Sequence, residues 1–80
     1  MKVKINDVVY ENLSDLRKAV TTKQFFIGIK QIDIPELQNY GLTLQILDEN
    51  DNLIEEKKII NVSQSIDYLA GITHLVLQYE

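Results

Sequence analysis

Apolar and polar residues alternate over short runs along most of the chain, and Asn, Asp, Gly and Pro punctuate the runs. In VKINDVVY, Val3 and Ile5 share one side, and Asn6-Asp7 separates them from Val8 and Tyr10. Asn and Asp tolerate the left-handed backbone of a two-residue turn, so this stretch predicts a tight hairpin. QFFIGIKQIDI is strongly strand-prone, with Phe25, Ile27 and Ile29 on one side and Phe26 on the other. LTLQIL alternates cleanly, LIEEKKII follows, and ITHLVLQYE closes the chain as a further strand.

Two segments carry helical spacing instead. Leu13, Leu16 and Val20 recur at i, i+3 and i+7, behind an Asn12 suited to cap a helix and an Asp15 suited to its positive end. Asn61 and Gln64 stand in the positions of a capping box, Val62, Ile66, Leu69 and Ala70 form an apolar stripe, and Gly71 suits a left-handed helix end. Pro35 and Gly41 bracket a single helical turn. The expected fold is α+β: a single mixed or mostly antiparallel sheet of four to six strands with two short helices on one face. Residues 2–29 and 42–79 then read as two ββαβ-like halves within one domain, residues 1–80.

Composition narrows the class. The 80 residues are 45% hydrophobic and 25% charged, with one Pro and three Gly, as in an ordered globular chain with a small core. No cysteine is present, which favours a reducing compartment, and MKVKINDVVY lacks the apolar run of a signal peptide. No run approaches the length of a membrane span, so a cytoplasmic protein is expected. A net charge of −4 with thinly spread lysines disfavours direct nucleic-acid binding.

Candidate chemistry is sparse. There is one histidine, and no phosphate loop, dinucleotide fingerprint or nucleophile elbow. His74 lies on a strand with no partner supplied by the sequence, and a closed zinc site lacks ligands. Glu55 and Glu56 are adjacent on a strand and point to opposite faces, so they do not converge as an acid-base pair. The expectation is a non-enzyme with no cofactor and no metal.

The densest polar stretch is ILDENDNLIEEKK. Asp48, Asn50 and Asn52 match the first positions of a calcium loop, but Leu53 and Ile59 replace its obligatory Gly and Glu. The segment is expected to be a hairpin tip followed by a charged strand. Asp48, Glu49, Asp51, Glu55 and Glu56 are the acidic candidates for a partner contact, and Tyr40 and Tyr68 are the aromatic ones. The frequent isoleucines read as the codon bias of an AT-rich bacterial or phage source. In type, size and lack of a catalytic set resemble the accessory proteins of phages and mobile elements. A small protein-binding module that inhibits or regulates a host protein is therefore expected. Two other readings stand beside it: an acidic nucleic-acid mimic that blocks an enzyme such as a defence nuclease, and a subunit of a small homo-oligomer such as a homodimer.

Overall fold

Asn6 and Asp7 take φ values of 48° and 70° and return the chain on itself, pairing Ile5 with Val8 as the sequence requires. In the computed structural model, which describes residues 1–35, Leu37 and 41–80, this hairpin opens a sheet of seven strands. They are β1 (Lys2–Ile5), β2 (Val8–Tyr10), β3 (Leu13–Ala19), β4 (Gln24–Ile29), β5 (Leu42–Leu47), β6 (Leu53–Asp67) and β7 (Ile72–Tyr79). Every ladder is antiparallel, in the order β2-β1-β5-β6-β7-β4-β3.

The described residues contain no helix, so the fold is all-β and the α+β expectation is corrected at both helices. In the first, Leu13 and Leu16 do lie on one face, but a bulge does this. The register of β3 against β4 shifts between Leu13 and Asp15, leaving Ser14 as an extra residue. An extra residue converts the two-residue period of a strand into a three-residue step, which imitates helical spacing. Asn12 caps nothing; its carbonyl accepts the Lys30 N–H at 2.9 Å. In the second, Val62, Gln64 and Ile66 share the side facing β7 residues Leu77, Leu75 and Thr73 in a continuous ladder. The alternation Val-Ser-Gln-Ser-Ile-Asp is the dominant signal there, and the apparent capping box dissolves into it. Gly71 does take a left-handed φ of 69°, in the β6–β7 turn rather than at a helix end. Neither half is a ββαβ unit. Most of the helical turn expected over 35–41 lies outside the described residues.

Topology forces the sheet to roll. Its two terminal strands, β2 and β3, are joined only through Glu11 and Asn12. Three Cα steps reach at most about 11 Å, whereas seven flat strands would span about 29 Å. The two ends of the sheet must therefore meet at one corner. The opposite corner is β6, a 15-residue strand whose first part pairs with β5 and whose second part pairs with β7. The two ladders overlap at Ile59 alone, which faces both Leu42 and Tyr79, and a bulge at Ile60 follows immediately. Strands that switch between packed layers in this way commonly bend at a bulge.

Rolling encloses one core. Val3, Ile5, Leu42, Leu44 and Ile46 from β1 and β5 pack with Phe25, Ile27, Ile29, Leu75, Leu77 and Tyr79 from β4 and β7. Both groups follow strict alternation, so the inner face of each half becomes the cover of the other. Ile34, from the segment after β4, joins this cluster. Thr73 is the one buried polar residue of the described core, and its Oγ1 donates to the Gln31 carbonyl at 2.6 Å. That bond ties the start of the same segment to β7.

Candidate interaction surfaces

The acidic stretch forms a hairpin tip, and its carboxylates hold the tip together. Asp48 closes it: the Asp51 N–H donates to the Asp48 carbonyl at 3.1 Å, and the Asp48 N–H donates to the Asn52 carbonyl at 3.0 Å. Asp51 adopts the left-handed φ of 65° that a three-residue hairpin loop places before its bulge. The Asp48 Oδ1 accepts from the Asn50 and Asn52 N–H groups at 2.8 and 2.9 Å. These three residues are the ones that resembled a calcium loop, and the Asp48 carboxylate and the Asn52 side chain are spent on the turn.

The Asn52 N–H foremost, with the Asn50 N–H and the Asn52 side chain, holds the Asp48 carboxyl below its ordinary pKa against an opposing effect of desolvation. The N-terminal amine, by hydrogen bond and by charge, holds Glu49 below its own. A carboxyl depressed in the folded state stabilises the fold above its unfolded pKa and loses that contribution as pH falls through the folded value. Acidification below the ordinary carboxylate range should therefore loosen the tip. The check is an NMR titration. Amide shifts and exchange rates of Asn50 and Asn52 should follow an Asp48 midpoint displaced to low pH, and Asp48→Asn should abolish that dependence.

The remaining acids diverge. Asp51 accepts from Lys2 at 2.8 Å, and Glu56, exposed, accepts from the Gln45 side chain at 2.7 Å. Glu55 is on the opposite face from Glu56, half-buried, and pairs with Lys18 of β3 and with Lys57. The Lys18 and Lys57 ammonium groups lie 5.6 and 4.9 Å from the Tyr79 ring centroid. This group of Glu55, two lysines and an aromatic ring fastens β3 to β6 where no ladder joins them. The five acidic candidates are thus distributed over a tip and two faces of a strand, each with a cationic or amide neighbour. They do not present a row of free carboxylates of the kind a phosphate backbone would offer.

Of the two tyrosine candidates, Tyr40 lies outside the described residues. Tyr68 is in the β6–β7 turn, at the far end of the 15-residue β6 from the acidic tip. The turn is firmly built. Asp67 Oδ1 accepts from the Leu69 and Ala70 N–H groups, each at 3.1 Å, and the Gly71 N–H donates to the Asp67 carbonyl at 2.9 Å. It lifts Tyr68, 75% exposed, and a fully exposed Leu69 clear of the sheet. Beside them a shallow cleft is lined by Ile34, Gln64, Ser65, Ile66 and Tyr68. Leu69 escaped sequence reasoning because helical spacing assigned it to a buried stripe.

One row on the outer face also escaped it. Asp15, Gly28, His74 and Ser65 are consecutive across four strands. The residue types are those of a catalytic triad, but the arrangement is not. The Ser14 hydroxyl fills the space above Gly28, Asp15 is paired with Arg17, and the His74 imidazole makes no hydrogen bond among the described residues. No group of His, Asp or Glu among the described residues is placed to hold a metal ion.

Comparison with protein-family models, with curated proteins and with solved structures finds no match.

Proposed function

We propose that the chain is a small protein-binding module whose principal contact is the β6–β7 turn. The observation that carries this reading is the pairing of apolar exposure with rigidity at Tyr68 and Leu69. An exposed leucine on a floppy loop would lose much of its contact energy to ordering. Here the Asp67 hydrogen bonds fix the turn beforehand, so the two side chains and the adjoining Ile66 cleft meet a partner already placed. A tyrosine beside an aliphatic group is a common anchor of protein interfaces, giving area and a hydrogen bond at low entropic cost. A regulator or inhibitor that acts by docking needs no more chemistry than this.

The test compares the wild-type chain with Tyr68→Ala/Leu69→Asp as immobilised baits for lysate of the source cell. Both side chains are outside the core, so folding stability should change by no more than about 0.5 kcal/mol. The expected result is a stoichiometric partner retained by the wild type and lost from the variant. Retention of the same proteins by both baits would overturn the assignment of the turn.

A further inference from the structure

The outer edge of β3 carries a pattern that fits a second copy of itself. β3 and β2 terminate the sheet, and β3 is the longer, with seven residues against three. Its only ladder among the described residues is with β4. Ser14, Arg17 and Lys18 are exposed, while Leu13 and Leu16 are only partly buried at the rim of the core. A groove lined by Met1, Glu11, Leu13, Ser14, Asp15 and Leu16 follows this edge.

Facing residues in an antiparallel ladder either exchange both backbone hydrogen bonds or neither. When two copies of one strand pair, the two-fold axis therefore passes through a residue, and that residue faces itself. In β3 an axis through Leu16 sets leucine on leucine. Asp15 and Arg17, paired with each other within one chain at 2.8 Å, then each also face the opposite charge of the second copy, on the outer surface. The bulge at Ser14 ends the regular pairing there, and the Lys18 ammonium on the inner face is already drawn to Glu55. Shifting the axis to Asp15, Arg17 or Lys18 sets like charges together, which disfavours those registers. The other charged edge, the first part of β6, fails the same test. Every axis within Glu55-Glu56-Lys57-Lys58 brings a charged residue against itself.

We infer that the chain forms an isologous homodimer by antiparallel pairing of β3 with β3, centred on Leu16, which joins two seven-stranded sheets into one. Closed two-fold pairing consumes this edge on both copies and leaves no propagating end there. The β6–β7 turn is not used.

The test rests on charge inversion. Asp15→Arg makes positions 15 and 17 both positive, and Arg17→Asp makes them both negative. By sedimentation equilibrium, the wild type should show twice the 9.3 kDa chain mass as concentration rises. Each variant alone should remain at the single-chain mass, and an equimolar mixture should recover the dimer. A second measurement keeps the wild-type charges. Leu16→Cys introduces the sole thiol of a cysteine-free chain, and facing Cα atoms in a ladder fall within disulfide range. Mild oxidation should link this variant into a covalent dimer, and Ala19→Cys, off the axis and also charge-neutral, should link far less. A wild type that stays at 9.3 kDa throughout, a mixture that fails to associate, or equal cross-linking at positions 16 and 19 would each overturn the proposal.

Discussion

Replacing Ile59 by alanine should lower the unfolding free energy by about 2–5 kcal/mol, near the upper end of that range. Ile59 has no solvent exposure and is the one residue shared by the β5 and β7 ladders. Truncation leaves a cavity bounded by strands from both halves of the rolled sheet, and neither half can collapse into it without pulling on the other. A domain of this length has a total stability of only about 4–12 kcal/mol, so the loss is a large share of the whole. The next residue supplies the control. Ile60 occupies the bulge and is 42% exposed, so Ile60→Ala should cost well under half as much. Urea unfolding followed by circular dichroism measures both. Equal losses at 59 and 60 would mean that the ladders do not converge on Ile59.

A second, coupled effect is expected at Gly28, where the response to an added side chain should depend on Ser14. A Cβ at Gly28 would lie 2.3 Å from the Ser14 Oγ, while its next nearest contacts, on Asp15, are at an ordinary 3.4 Å. Ser14 is exposed and the clashing oxygen is the free end of its rotatable side chain, so Gly28→Ala should cost no more than about 1 kcal/mol, set by turning that hydroxyl to another rotamer. Removing the hydroxyl with Ser14→Ala removes the clash. In that background alanine at 28 should be neutral or stabilising, because glycine inside a strand costs about 0.5–1 kcal/mol relative to alanine. A double-mutant cycle by urea unfolding reads the coupling directly. Additive effects would show that Ser14 does not occupy the space above Gly28.

The same bulge explains what the sequence conceals. Strand alternation was legible wherever the ladder is regular: Val3 and Ile5, Leu42 through Ile46, Phe25 through Ile29. The Asn6-Asp7 turn and the hairpin nature of Asp48–Asn52 were legible because turn chemistry is local. Leu13 and Leu16 misled because one inserted residue turns a strand period into a helical one. Asn61 and Gln64 misled because a capping signature is a weak local preference, and the ladder with β7 overrides it. The rolling of the sheet was not legible at all. It depends on which strands end up terminal, and no local pattern in Glu11-Asn12 announces that those two residues join opposite ends of the sheet. As to the candidate contacts, the exposure of Tyr68 follows from its place in a turn. The dispersal of the acids depends on Lys2, Lys18 and the N-terminal amine arriving from distant strands.

The corner at β6 also governs how the molecule comes apart. In many β-proteins a hairpin can open while the rest stays closed, and amide exchange then reports separate units of different stability. Here the apolar face of each half is covered mainly by the other, and one uninterrupted strand belongs to both. A break in either ladder next to Ile59 exposes the shared interior at once. The slowest-exchanging amides of β1, β5, β4 and β7 should consequently exchange through one common opening, with β2 and the outer edge of β3 released earlier as local fraying.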